Sequence, residues 1–351
     1  MATVFLNGAF LDLADAKLGV VDAGTQHAVG LFETMLGGVE QRPDSDAKAW
    51  VVDLDEHMDR LALSALQTGL WPDLQPAALA DAVLATVARS GLARARVRLT
   101  ITGGDLNLAA RDASGNPGSN AGKPRRVEPT VLIVAQPATV YPEAMLRQGV
   151  MATIADTRAN PFNPLESHKT LSYWWRLREL QIAGAKGGAE AIVFDITNHA
   201  CGGCVSNLLV VKDGVVRTPI CRGEEGFGPD GPPDDLDQNA DFDPMNATAS
   251  TVGSRGQAAG TKASGAIALP SAVLPGITRK RVLSWLGLDG VKTQRVMLTI
   301  SDILDADEVM LTNSSWGVLP VTRIESREIA GAKVGPITRG LVERWGKWTM
   351  G

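Results

Sequence analysis

The chain has 351 residues, 44% apolar and 21% charged, with a formal net charge of -5, which is enough length for two domains with sizeable cores. That balance gives no reason to expect a nucleic-acid or membrane partner, no apolar run is long enough to span a bilayer, and the N-terminus lacks the basic start and apolar centre of a signal peptide. Three cysteines do not make a disulfide framework, and the reading is of a soluble cytoplasmic protein.

Taken in order, Val4-Phe5-Leu6-Asn7-Gly8-Ala9-Phe10-Leu11 is an apolar run split by Asn-Gly. Both turn residues tolerate positive φ, so a hairpin is predicted. Residues 17–21 read as another strand, and residues 24–36 mix small residues with Phe32 and Glu33 and suit the lining of a cleft. Leu54, Met58, Leu61, Ala62 and Ala65 recur at helical spacing with Asp55, Glu56, Asp59 and Arg60 interleaved, which predicts a helix over 54–66. A second helix over 76–90 begins at Pro76. In the strand predicted over 95–102, Arg96 and Arg98 alternate with apolar positions. Residues 111–126, rich in Gly, Asn, Ser and Pro, read as a mobile loop, and 130–135 as a buried strand.

Residues 136–143, with two prolines, read as a linker. The expected division is a smaller N-terminal α/β domain over 1–135 and a larger domain over 144–351. In the second domain, strands are expected at 149–155, 189–194 and 205–212, with a helix over 173–183. Residues 221–269 differ in composition, carrying Gly, Pro and eight acidic residues between Glu224 and Asp243, then a Gly/Ala/Ser/Thr tract. Such a segment cannot bury enough apolar surface to offset chain entropy, so a surface insertion, at least partly disordered, is expected. Within it, residues 235–241 loosely follow a calcium loop but lack its glycine and its final glutamate, and no metal is assigned. Then come a helix opening at Gly276 and running to 286, a strand over 291–298, a helical turn over 300–304, strands over 308–312 and 318–324, and a closing helix over 335–348. Strands and helices in mixed order point to an α+β (mixed α/β) architecture rather than one doubly wound sheet.

The chemistry centres on Lys169, in Leu165-Glu166-Ser167-His168-Lys169-Thr170-Leu171-Ser172-Tyr173. A lysine among apolar neighbours loses proton affinity and can form a Schiff base; the plain alternative is a surface lysine before a helix. Gly276-Ile277-Thr278 opens a helix, where free N–H groups and the dipole favour an anion, and Asn313-Ser314-Ser315 is a polar turn able to form a nest. Thr at a helix start and Ser in a turn also have ordinary structural roles. Arg60 is either solvated or a bidentate phosphate contact. Cys201-Gly202-Gly203-Cys204 has no second pair for zinc and precedes an apolar run, so buried small residues at a strand start are expected. No nucleotide-binding or serine-hydrolase fingerprint is present, and His27, His57, His168 and His199 show no metal spacing.

Together these stretches resemble the class IV aminotransferase family, the fold-type IV pyridoxal-phosphate enzymes, which include branched-chain and D-amino-acid aminotransferases and aminodeoxychorismate lyase. The matching segments, in family order, are Phe5-Leu6-Asn7-Gly8, residues 22–34, His57-Met58-Asp59-Arg60-Leu61, Lys169-Thr170-Leu171-Ser172-Tyr173, Ser206-Asn207-Leu208, Thr218-Pro219, Leu274-Pro275-Gly276-Ile277-Thr278-Arg279, Ala306-Asp307-Glu308-Val309, and residues 313–321. The resemblance implies a two-domain fold with the cofactor cleft between domains, a homodimer, and amino-acid and keto-acid substrates. It implies that Lys169 holds pyridoxal 5'-phosphate as a Schiff base and moves the substrate proton. Arg60, Ile277, Thr278 and Ser314 match the phosphate clamp, Tyr173 a tyrosine near the cofactor's phenolic oxygen, and Asn207 a residue after the ring-nitrogen site. Arg98 and Ser315 lie where the substrate carboxylate is often bound.

The sequence departs from the family at several places, among them His27 and Val29, which replace common aromatic and acidic residues lining the cleft. The glutamate that keeps the pyridine nitrogen protonated stands five residues before the asparagine matching Asn207, and here that position is Gly202. The frequent arginine after Phe-Glu is replaced by Leu36. The reading is an aminotransferase acting on a branched-chain-like α-amino acid. Two alternatives stay open: a lyase acting on an amino-chorismate-like substrate, and a weak or inactive homologue with a binding or structural role, which rests on Gly202.

Overall fold

A computed structural model describes residues 2–42, 45–104, 129–231 and 269–350. Two compact units emerge: Met1–Thr139 with Lys169–Ser172, and Val140–His168 with Tyr173–Gly351. The mobile-loop expectation for 111–126 and the calcium-like stretch 235–241 lie outside the described residues.

The first unit contains β1 (Thr3–Leu6), β2 (Ala9–Leu11), α1 (Ala23–His27), β3 (Gly30–Arg42), β4 (Ser45–Val51), α2 (Leu54–Gln67), α3 (Pro76–Ser90), β5 (Ala95–Thr102) and β6 (Val131–Pro137). Its six-stranded sheet runs β2-β1-β6-β5-β3-β4, with every pair antiparallel. The expected hairpin forms at Asn7-Gly8, both at positive φ (46° and 90°). The strand expected over 17–21 does not form; Val20 and Val21 are exposed. The glycine-rich start of 24–36 becomes α1, and the remainder belongs to the thirteen-residue β3.

Alternation along β5 separates two faces. Ala95, Val97, Leu99 and Ile101 are fully buried against the apolar faces of α2 and α3, joined by Leu61, Ala65, Val83 and Val87. Arg96, Arg98 and Thr100 occupy the opposite face. Lys169–Ser172, expected in the larger domain, pairs with the sheet instead. The Phe32 N–H donates to the Lys169 carbonyl (2.8 Å), the Leu171 N–H donates to the Gly30 carbonyl (2.9 Å), and Leu31 bridges Thr170.

The second unit contains α4 (Glu143–Gln148), β7 (Val150–Ala159), α5 (Trp174–Ala185), β8 (Glu190–Asp195), β9 (Ala200–Gly203), β10 (Asn207–Lys212), β11 (Val215–Thr218), α6 (Ile277–Leu288), β12 (Thr293–Arg295), α7 (Ile300–Leu304), β13 (Glu308–Asn313), β14 (Gly317–Ile324), β15 (Arg327–Glu328) and α8 (Pro336–Met350). The sheet order is β12-β11-β10-β13-β14-β7-β8-β9, with β15 paired to β14. Of the strand expected over 291–298, only β12 forms. One core packs Ile192, Leu208, Leu311 and Leu319, and another gathers Ala155, Ala183, Val193 and the three cysteines. Trp285 of α6 meets Trp345 and Trp348 of α8 edge to face, locking the two helices together.

Residues 221–231, at the start of the expected insertion, are tied into this unit. Cys221 is fully buried, and Glu224 pairs with the buried Arg279 (2.8 Å). The Arg279 Nε also donates to Thr218 Oγ1 (2.9 Å), and its NH2 donates to the Pro219 carbonyl (3.1 Å). Burial pushes the Glu224 carboxyl up, but the Arg279 charge and hydrogen bond, with the Cys221 N–H and the Arg295 charge, together bring it below its ordinary range. This network fixes the N-terminal half of α6 to the end of β11.

Candidate active site

Pairing to β3 puts Lys169 on the sheet face that carries Phe32, because cross-strand partners share a face. The Lys169 Nζ lies 4.8 Å from the Phe32 ring centroid, and the Arg98 guanidinium lies 3.9 Å from the same centroid. Both distances are within cation–π range. The register β3–β5 sets Thr34 opposite Arg98 and Leu36 opposite Arg96. One face therefore carries Lys169, Phe32, Arg98 and Arg96 in sequence.

Glu33 points to the other face and is 1% exposed. His57 and Arg60, one turn apart on α2, converge on it. His57 Nδ1 lies 2.8 Å from Glu33 Oε2, and Arg60 donates from Nε to Oε1 (2.9 Å) and from NH2 to Oε2 (2.5 Å). Arg60 is thus held as a buried two-pronged ion pair, not as a solvated residue of a polar helix face. Burial pushes the Glu33 carboxyl up, but Arg60 foremost, with His57, brings it down to about 2. Burial lowers the His57 pKa below 6.5 despite Glu33, and the Lys169 charge adds to the lowering. Glu33, which the sequence suggests as a cleft-lining residue beside Phe32, is instead buried against α2, and His57 carries no role in the sequence reading; both lie within the matched stretches. Their meeting is a long-range pairing of β3 with α2.

In the second unit, Gly276 caps α6 in an extended conformation, and the first helical N–H groups have no intrahelical acceptor. A Cβ at Gly276 would collide with the Asn207 side chain, whose Nδ2 donates to the Leu274 carbonyl (2.9 Å). Asn207 therefore positions the helix start. Ile277 and Thr278 are buried there, and the Thr278 hydroxyl makes no hydrogen bond among the described residues. Thr312, directly opposite Asn207, has a buried Oγ1 without a partner among the described residues. The Asn313 side chain accepts from the N–H groups of Ser315 (2.9 Å) and Trp316 (3.0 Å), shaping the turn that carries Ser314. Ser314 makes no hydrogen bond among the described residues. These donors at a helix N-terminus suit an anion.

Gly202 on β9 has φ +117°, and a Cβ there would lie 2.7 Å from the Ser206 carbonyl. The position therefore has no side chain and little room for one. The neighbouring acid is Glu190, fully buried, which accepts from the N–H groups of Ala191 (3.0 Å), Cys204 (3.1 Å) and Val205 (3.2 Å) and from Ser206 Oγ (2.9 Å). Burial raises its pKa despite these donors. Gly203 gives it room, since a Cβ there would meet the Glu190 carboxyl carbon at 2.8 Å. The Tyr173 hydroxyl donates to the Cys204 carbonyl (3.0 Å), so it also braces the β9–β10 turn. As expected, Cys201 and Cys204 are buried, and burial pushes both thiols up to about 12. No group of metal-ligating residues exists among the described residues, and no described helix is long and apolar enough to cross a membrane.

A Methanocaldococcus jannaschii protein named for branched-chain-amino-acid aminotransferase is 27% identical over 347 residues, covering 97% of this chain and 94% of the relative. The crystal structure of the Escherichia coli branched-chain amino acid aminotransferase superposes with a TM-score of 0.74 at 22% identity, covering 98% of this chain and 93% of that one. The 4-amino-4-deoxychorismate lyase of Pseudomonas aeruginosa superposes with a TM-score of 0.69 at 22% identity, covering 98% of both chains. These superpositions establish a common fold and leave the reaction open. The family profile "Amino-transferase class IV" matches residues 30–224 and 261–324, more than half of the chain. The chain belongs to the class IV aminotransferase family.

Proposed function

We propose that this protein is a pyridoxal-phosphate-dependent aminotransferase that moves an amino group between an α-amino acid and a keto acid, with Lys169 as covalent anchor and proton carrier. The observation that carries the reading is Lys169 itself: its amine lies against the Phe32 ring on the face that also carries Arg98. Each unit, taken by itself, carries donors suited to the cofactor's phosphate. Arg60 is pre-oriented by Glu33, and Ile277, Thr278 and Ser314 supply N–H and hydroxyl donors at a helix start and a turn. When bound, pyridoxal phosphate supplies an electrophilic carbon and a conjugated ring that stabilises charge at the substrate's α-carbon. Lys169 would hold the cofactor through its Nζ, and the same amine would take the substrate's α-proton and return it.

The ring-nitrogen position does not fit the family pattern, because Gly202 offers no carboxylate and Glu190 is engaged by four donors of its own strand region. A protein built this way holds the cofactor but turns over slowly. Borohydride reduction after incubation with pyridoxal phosphate should leave a pyridoxyl group on the peptide containing Lys169, and Lys169→Ala should abolish the label and the visible absorbance. A parent protein that takes up no pyridoxal phosphate would overturn the proposal. Keto-acid-dependent amino transfer, set against pyruvate release from aminodeoxychorismate, separates the transferase from the lyase.

A further inference from the structure

Arg222 is the unexplained charge of the second unit. It stands at the root of the insertion and is half-buried, yet it forms no ion pair among the described residues. A partly desolvated guanidinium without a carboxylate partner is unfavourable, so a specific contact has to hold it there. That contact is Ser167: the Arg222 Nε donates to the Ser167 hydroxyl oxygen. The Arg222 backbone is itself fixed. Its N–H donates to the Val273 carbonyl (3.0 Å), and Glu225 ties the root together by accepting from the N–H groups of Gly223 (2.5 Å) and Ser271 (2.7 Å).

Ser167 is the partner that needs holding. It is buried, and its φ is +64°. In that left-handed region a residue with a Cβ loses about a factor of ten in population. Lys169 follows two residues later in the chain. The residues around Ser167 leave its conformation to Arg222. The side chains of Asn160 and Asn163 accept from the N–H groups of Phe162 (3.0 Å) and Leu165 (3.1 Å), which shapes the approach but does not reach Ser167. Glu166 pairs outward with Arg176 (3.1 Å), whose guanidinium lies 4.4 Å from the Trp175 ring centroid. Burial, and after it the Arg222 charge, push the His168 imidazole down to about 4, so at neutral pH His168 brings no charge to repel Arg222.

We propose that Arg222 is a positioning residue: by holding Ser167 in the left-handed conformation, it sets the direction in which the chain runs into Lys169. The proposal rests on the Lys169 reading given above. It gives the root of the insertion a part in aiming the reactive amine. Without the Arg222 bond, Ser167 leaves the left-handed region in about nine molecules of ten. A lysine whose competent orientation is populated about one-tenth of the time binds its cofactor about tenfold more weakly.

The test titrates cofactor-free, full-length protein with pyridoxal phosphate and follows the visible absorbance. Arg222→Ala should weaken the apparent affinity about tenfold. Arg222→Gln should stay within about threefold of wild type, because the glutamine Nε2 lies as many bonds from the backbone as the arginine Nε and can donate to the same hydroxyl. Ser167→Gly removes the steric cost of positive φ, so Arg222→Ala made in that background should lose no more than about threefold. A general loss of packing would not be rescued by glycine. The proposal is overturned by an Arg222→Ala affinity within about twofold of wild type, by equal losses in Arg222→Gln and Arg222→Ala, or by a tenfold loss that persists beside Ser167→Gly. Hydrogen exchange of the peptide spanning 160–172 is measured on the same proteins without cofactor. Arg222→Ala should speed it about tenfold, and unchanged exchange also overturns the proposal. Faster exchange in Arg222→Ala, with no uptake of pyridoxal phosphate by wild type, would sink the cofactor reading while leaving the hold on Ser167 standing.

Discussion

Replacing Glu33 with glutamine tests the buried centre on which Arg60 depends. The substitution keeps shape but removes the charge that neutralises the Arg60 guanidinium. In the folded chain the carboxyl is held at about 2 against an ordinary value of 4.5, and at 1% exposure solvent screens little of this. The difference corresponds to about 3 kcal/mol of stabilisation at neutral pH. Because the folded value lies below the unfolded one, the stabilisation is fully present above about pH 4.5 and is lost as pH falls toward 2. His57 adds to the acid sensitivity of the wild type. Its pKa is lowered by burial, so the unfolded chain takes up that proton first and stability declines as pH drops below 6.5. Urea unfolding at pH 7 should show Glu33→Gln less stable by about 3 kcal/mol. Carbon-13 NMR of the wild type should find one glutamate carboxyl, absent from the variant, still ionised at pH 3. A loss under about 1 kcal/mol, or a Glu33 carboxyl titrating at the ordinary value, would refute the argument.

Gly202→Glu would supply the family's missing acid, but the backbone there opposes it. A side chain at φ +117° meets the Ser206 carbonyl, so the melting temperature should fall by at least about 2 °C, and an unchanged value would show that the β9–β10 turn adapts freely. The three thiols are buried and pushed up to about 12, so a disulfide reagent at pH 8 should modify none of them in the folded protein and all three after denaturation. Fast labelling of any one in the folded state would contradict the packing around Ala155, Ala183 and Val193.

The local elements are legible in the chain because their causes are local. Asn7-Gly8 tolerates the turn conformation of the first hairpin, apolar spacing defines α2, and Gly276 with Thr278 marks the start of α6. The sequence also placed Lys169, Arg60 and the polar turn at Ser314 in a recognisable order. The remaining features come from contacts distant in the chain. β3 escaped notice because its glycine-broken, doubly covered run has no clear period-two pattern. Lys169–Ser172 joined the first sheet through hydrogen bonds to β3 that no neighbouring residue announces. Glu33 captured Arg60 across 27 positions of chain, turning an apparently solvated helix arginine into a buried one. Register set Arg96 opposite Leu36 and Arg98 opposite Thr34, and a slip of one residue would have sent both arginines to the core face.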